Sequence, residues 1–255
     1  MDSDFLRGRL ALVTGGGRGI GAAVATRLAA VGARVVVCGR TRADLDALAA
    51  SIDGVAITCD LADRADTDRM LAEVAALGRV DVLVNNAGAA ESAPLAGTDD
   101  AMWDRLLELN ATAPFRVTRS LVPAMVAAGW GRVVTIASNA GLTGYGYTAA
   151  YCAAKHAVVG MTRALAVDLG RTGVTINAVC PGWVATQMAD QAIARIADKT
   201  GRGADAARDA LTSMSPQRRL IEPAEVAHAV LNLCHVDARG IHGQTVVLDG
   251  GQVMK

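Results

Sequence analysis

Leu10-Ala11-Leu12-Val13-Thr14-Gly15-Gly16-Gly17-Arg18-Gly19-Ile20-Gly21 is a short apolar run that breaks into a glycine-rich turn. A helical pattern follows from Ala22 to about Val31 and closes at Gly32. Strand, glycine turn and helix are the parts of a dinucleotide-binding βαβ unit. Glycines permit a tight turn and let backbone N–H groups approach a pyrophosphate at the positive end of the helix. The spacing Gly15-x-x-x-Gly19-x-Gly21 departs from the commoner Gly-x-Gly-x-x-Gly,. Taken alone, the turn reads equally as a tight strand-to-helix connection, so what lies downstream must decide.

Downstream the pattern repeats. Arg34 to Cys38 reads as a second buried strand, and Gly39-Arg40-Thr41-Arg42 follows it. In NAD sites an acidic residue usually ends this strand and bonds the ribose 2′-OH. Here Arg40 stands in that region, with Arg18 on the glycine turn, and two guanidiniums suit a 2′-phosphate. This favours NADP(H) over NAD(H), although Arg40 and Arg42 also read as solvated charges at a helix start. Val55 to Cys59 is a third strand ending in Asp60-Leu61, where Asp60 can accept from an adenine amino group or cap the helix beginning at Asp63,. Asp81 to Val84 is a fourth strand, and Asn85-Asn86-Ala87-Gly88 offers carboxamides to tie neighbouring strands and line a cofactor crevice,. Asp99 to about Ala128 reads as one long helix, with Asn110 needing a specific partner and Pro114 bending it,. Arg132 to Ala137, Val174 to Val179 and Thr245 to Leu248 complete the strands, and Pro223 to Cys234 is a helix. The alternation predicts an α/β fold: a Rossmann-type doubly wound parallel sheet in a single domain over residues 1–255. Within it, 185–215 reads as a small helical lid over the active-site edge, or else a plain pair of surface helices.

Ser138 follows the fifth strand, where open α/β sheets place their ligands,. A loop from Gly141 to Gly146 leads into a helix carrying Tyr151 and, one turn on, Lys155,. An ammonium beside a phenol is expected to lower its pKa from about 10 towards the range useful for proton exchange with a carbonyl or alcohol. Tyr-x-x-x-Lys also occurs by chance on surface helices, so the pair gains meaning from its setting.

Composition excludes several classes. The formal net charge is zero and aromatics make up 3% of the chain, which argues against a nucleic-acid partner,. Cys38, Cys59, Cys152, Cys180 and Cys234 form no Cys-x-x-Cys pair, so no metal site is expected,. No apolar run is long enough to span a bilayer, and the acidic opening Met1-Asp2-Ser3-Asp4 lacks a signal peptide's apolar segment,. A soluble, cytoplasmic protein is expected.

With these residues assembled, the chain resembles the short-chain dehydrogenase/reductase family over nearly its whole length. Thr14-Gly15-x-x-x-Gly19-Ile20-Gly21 matches the family's cofactor motif, and Asn85-Asn86-Ala87-Gly88 matches its fourth-strand motif. Asn110, Ser138, Tyr151 and Lys155 match its catalytic tetrad, and Pro181-Gly182 matches the motif before the lid. The residue before the lysine, often serine in the family, is Ala154 here. The resemblance implies a cofactor site built from Gly15, Gly17, Arg18, Gly19, Ile20, Gly21, Arg40, Asp60, Leu61, Asn86, Ala87, Gly88, Tyr151, Lys155, Pro181, Gly182, Val184 and Thr186, with Thr186 near the nicotinamide carboxamide. It also implies a homotetramer and hydride transfer between NADP(H) and a ketone or secondary alcohol. Tyr151 would then be the general acid or base, Ser138 a donor to the carbonyl oxygen, and Lys155 a holder of the ribose. Asn110 would anchor a proton-relaying water.

The substrate reading is narrower. Family members that oxidise 3-hydroxybutyrate hold its carboxylate with a histidine and a lysine at positions that are Ala140 and Thr148 here. A β-ketoacyl thioester, on CoA or a carrier protein, or an uncharged ketone fits better. Arg195, Lys199, Arg202 and Arg208 could meet the phosphates of such an arm, or be solvated charges. An NAD-dependent dehydrogenase acting on a hydroxyacyl group or other secondary alcohol is the alternative. A non-catalytic nucleotide sensor would have no need of the complete tetrad.

Overall fold

Buried parallel strands need side chains that are apolar on both faces, and the valine-rich runs of this chain supply them. A computed structural model describes residues 4–201 and 203–254. Its seven strands are β1 (Leu10–Thr14), β2 (Arg34–Gly39), β3 (Val55–Thr58), β4 (Val80–Asn85), β5 (Gly131–Ile136), β6 (Val174–Pro181) and β7 (Thr245–Leu248). They form one sheet in the order β3-β2-β1-β4-β5-β6-β7. Every pairing is parallel, as right-handed crossovers through helices require,. The order reverses between β1 and β4. That is the switch point at which such sheets open a crevice beyond their C-terminal ends.

The helices are α1 (Gly19–Ala29), α2 (Arg42–Ser51), α3 (Arg64–Leu77), α4 (Asp100–Leu107), α5 (Ala113–Ala127), α6 (Ala149–Leu169), α7 (Gln187–Thr200), α8 (Ala204–Thr212) and α9 (Pro223–Cys234). One core layer joins Val24, Leu28, Val226 and Val230 of α1 and α9 to Val13, Val35 and Val84 of the sheet. The other joins Met70, Val74, Val117 and Met125 of α3 and α5 to Leu12, Val36 and Leu83. The molecule is thus a Rossmann-like single domain with helices on both faces of the sheet. Among the described residues, no helix is long and apolar enough to cross a membrane.

Three expectations about local structure need correction. Helix α1 starts at Gly19 rather than Ala22, because its first turn is built from the glycine loop itself. The expected long helix is two, α4 and α5, joined by a π-helical turn over Glu108–Thr112. Pro114 lies in the first turn of α5 and has no N–H to give the Asn110 carbonyl four residues back, so the α-helical ladder is broken there,. The cap of α3 is Asp63, which accepts from Ala65 and Asp66, whereas Asp60 only accepts from Ala62 in a local turn. Helices α7 and α8 lie within the 185–215 stretch and pack on one another through Ala192, Ile193, Ala207 and Leu211. Arg202 lies outside the described residues.

Candidate active site

The first wall of the crevice is the glycine loop. Gly15 and Gly19 have φ of +61° and +56°, a region closed to most side chains,. A Cβ on Gly21 would lie 2.2 Å from the Gly15 carbonyl oxygen and 2.6 Å from Asn86 Nδ2. The loop is therefore folded directly onto the end of β4. Asn86 Nδ2 donates to the carbonyls of Thr14 (2.9 Å) and Gly15 (3.0 Å), and Thr14 Oγ1 accepts from the backbone of Asn86 and Ala87. Of the two adjacent carboxamides, that of Asn86 ties the end of β4 to β1. Asn85 instead donates to Thr118 on α5.

At the start of α1 no acidic side chain occupies the first turn and no side chain caps it. Its free N–H groups suit an anion. Arg18 and Arg40 are both exposed at this edge and neither takes an ion pair among the described residues, whereas Arg42 is tied to Asp46 at 2.7 Å. A cradle too tight for side chains, an uncompensated helix N-terminus and two unpaired guanidiniums fit a phosphorylated dinucleotide. Gly17 lies against Asp44 and Leu45 of α2. Ile20, Leu61 and Val184 pack in the apolar clusters on the two faces of the sheet. Thr186 reaches back to this loop, since a Cβ on Gly19 would sit 3.1 Å from its Cγ2.

The second wall carries the reactive side chains. Ser138 follows β5, is 8% exposed, and its Oγ accepts from Ala140 N at 3.1 Å. Tyr151 and Lys155 stand one turn apart on α6, with Lys155 Nζ 5.7 Å from the Tyr151 ring centroid. Lys155 is 5% exposed and donates to the Ile136 carbonyl at 3.0 Å. Asn110 has the partners it needs: Nδ2 donates to Ala89 O and Leu106 O, and Oδ1 accepts from Ala89 N. A Cβ on Gly88 would be 2.7 Å from Asn110 Oδ1 and 3.6 Å from Lys155 Nζ, so these three meet at one point. Pro181 ends β6 and Gly182 N donates to Leu248 O on β7 at 2.9 Å. Cys180 at the end of β6 is buried beside Ser138 and Lys155, and burial pushes its thiol up to about 11 against the opposing Ser138 backbone N–H and Lys155 ammonium.

The electrostatics overturn one expectation. The Tyr151 phenol is not lowered: burial pushes it up to about 12, and its hydrogen bond with Ser138 only partly opposes this. Burial likewise holds the Lys155 ammonium down at about 8. Removing two groups from water dominates here, with the ammonium over the phenol ring at 5.7 Å from its centroid and donating its hydrogen bond to the Ile136 carbonyl,. Among the described residues, no cluster of histidine, cysteine or carboxylate side chains could hold a metal ion.

A doubly wound sheet with a glycine loop at its switch point, a serine following β5, and a tyrosine and lysine one turn apart on α6 define a nucleotide-dependent oxidoreductase acting on hydroxyl or carbonyl groups. The chain belongs to the short chain dehydrogenase family, whose sequence model matches residues 9–196. It is 39% identical over 250 residues to a Streptomyces coelicolor protein named as a ketoacyl reductase, covering 95% of this chain and 96% of that one. It is 35% identical over 258 residues to a D-beta-hydroxybutyrate dehydrogenase of Cupriavidus necator, covering 98% and 99%. A crystal structure of an actinorhodin polyketide ketoreductase variant with NADPH superposes with a TM-score of 0.92 at 38% identity, covering 96% of this chain and 97% of that one.

Proposed function

We propose that this protein is an NADPH-dependent ketoreductase, reducing a β-ketoacyl thioester or a similar uncharged ketone. The carrying observation is the convergence of Ser138, Tyr151 and Lys155 on the crevice that unpaired Arg18 and Arg40 edge. NADPH, when bound, supplies the hydride. Tyr151 gives its proton to the carbonyl oxygen, a step for which a phenol that stays protonated across neutral pH is correctly charged,. Ser138 donates to the same oxygen and stabilises the negative charge that builds there. Lys155, one turn from Tyr151, would hold the ribose hydroxyls of the bound cofactor, and a water at the π-turn beside Asn110 would reconnect the site to solvent. The structural neighbour was crystallised with NADPH, which supports this cofactor.

The acyl preference rests on what is lacking near the serine. Ala140 is buried, and the Thr148 hydroxyl is engaged with Tyr145 O and Cys152 Sγ, so neither presents a cation to a small carboxylate. This weighs against a hydroxybutyrate dehydrogenase despite the 35% identical relative bearing that name. Cytoplasmic location and a homotetramer belong to the same proposal. The test compares kcat/KM for NADPH and NADH across ketones, β-ketoacyl thioesters and secondary alcohols. Preference for NADPH with a ketone supports the reading; preference for NAD with an alcohol replaces it with the oxidative dehydrogenase.

A further inference from the structure

Directly behind Ser138 lies a buried polar knot that the proposed chemistry does not use. Asp249 follows β7 and is 5% exposed. Its Oδ1 accepts from Gly251 N and Gln252 N, both at 3.0 Å, and its Oδ2 accepts from Val253 N at 2.8 Å and from Asn139 Nδ2 at 3.3 Å. Asn139 is also 5% exposed, is the residue after Ser138, and donates in addition to Gln252 Oε1 at 3.2 Å. Gly250 and Gly251, with φ of +66° and +85°, let the chain fold around the carboxylate. The same carboxylate walls the turn after β6: a Cβ on Gly182 would lie 2.9 Å from Asp249 Cβ and 3.6 Å from Asn139 Nδ2.

Ser138 has extended backbone, and Asn139–Gly141 is one short 3-10 turn closed by Gly141 N donating to Ser138 O at 2.9 Å and by Ser138 Oγ accepting from Ala140 N,. The Asn139 side chain is its tie to the C-terminal turn. A buried carboxylate fixed by three backbone N–H groups is rigid, and its bond to Asn139 is charge-assisted. We propose that Asp249 is a positioning residue for the reaction: acting through Asn139, it fixes the backbone that aims the Ser138 hydroxyl. The C-terminal turn is thereby a working part of the site rather than only the end of the sheet. This rests on the role proposed for Ser138.

The alternative is that Asp249 merely anchors the C-terminal turn, and a double-mutant cycle separates the two. Wild type, Asp249→Asn, Asn139→Ala and Ser138→Ala, with both double variants carrying Ser138→Ala, are assayed for kcat with NADPH and a turned-over ketone. Melting curves check the fold of each. Asp249→Asn and Asn139→Ala should each lower kcat roughly tenfold or more, the scale of a lost charge-assisted hydrogen bond. In the Ser138→Ala background the same changes should cost less than about twofold, because nothing is left to aim. Losses that multiply in the double variants, or an undiminished kcat in Asn139→Ala, overturn the proposal while leaving the enzyme reading intact. Wild-type protein without turnover on any ketone would instead sink the enzyme reading, and this proposal with it. If Asp249→Asn does not fold, Asn139→Ala carries the cycle alone, since it leaves the carboxylate and its three N–H donors in place.

Discussion

Lys155 is the most exacting place to test the electrostatics of this site. Its ammonium titrates at about 8 in the folded protein against 10.5 for the free side chain. That lowering corresponds to roughly 3 kcal/mol set against the charged native state. At 5% exposure, little solvent screening reduces it. The sign follows from proton counting: between about pH 8 and 10.5 the unfolded chain holds a proton that the native one has released, so native stability rises with pH across that window. Below pH 8 the full penalty applies, and above 10.5 it is gone. Lys155→Met removes the penalty but strands the Ile136 carbonyl, which costs about 1–2 kcal/mol,. The cofactor-free variant should therefore be more stable than wild type by roughly 1–2 kcal/mol at pH 7, a few degrees in Tm, while losing turnover. Near pH 10.5 the order should reverse. Tyr151, raised from 10 to about 12, and Cys180, raised from 9 to about 11, pull native stability down over the upper part of this window, but both proteins carry them, so to first order they cancel in the difference between wild type and variant,. Urea melts of both proteins at pH 7 and pH 10.5 make the measurement. A variant less stable at pH 7, or a difference unchanged between the two pH values, would refute the claim that burial dominates here.

Tyr151→Phe should cost several orders of magnitude in turnover while NADPH still binds, as followed by cofactor fluorescence; retained turnover would show that the proton comes from elsewhere. Arg40→Ala, alone and with Arg18→Ala, should lower kcat/KM for NADPH roughly ten- to hundredfold and leave NADH nearly unchanged, the contrast expected for a 2′-phosphate contact. Gly21→Ala would push a methyl to 2.2 Å from the Gly15 carbonyl and against an amide already bonded to two carbonyls. Neither can yield, so a loss of at least about 2 kcal/mol in thermal or urea melts and weakened NADPH binding are expected.

Much of the fold is legible in the chain because its signals are local. Pro223 opens α9 behind a reciprocal Glu222–Glu225 capping box, so that helix reads at its true bounds,. The valine runs of β2 and β5 likewise read within a residue or so of where they lie. The π-turn around Asn110 does not read, because nothing in a 3.6-residue pattern marks a shift to i+5 bonding; only the misplaced Asn110 and Pro114 hint at it. Asp60 and Asp63 are both plausible caps for α3, and only backbone geometry separates them.

By itself the sequence determined the order of the motifs, the helical spacing that sets Lys155 one turn from Tyr151, and hence the family. Tertiary structure alone decided two things. It set β1 between β2 and β4, which brings the loops after Thr14, Asn85 and Ile136 to one crevice from positions far apart in the chain. It also buried Lys155 and half-buried Tyr151, so that desolvation, rather than their attraction, sets their charge. Spacing along a helix is fixed by the backbone's own geometry, whereas burial is a sum over neighbours from every strand and helix.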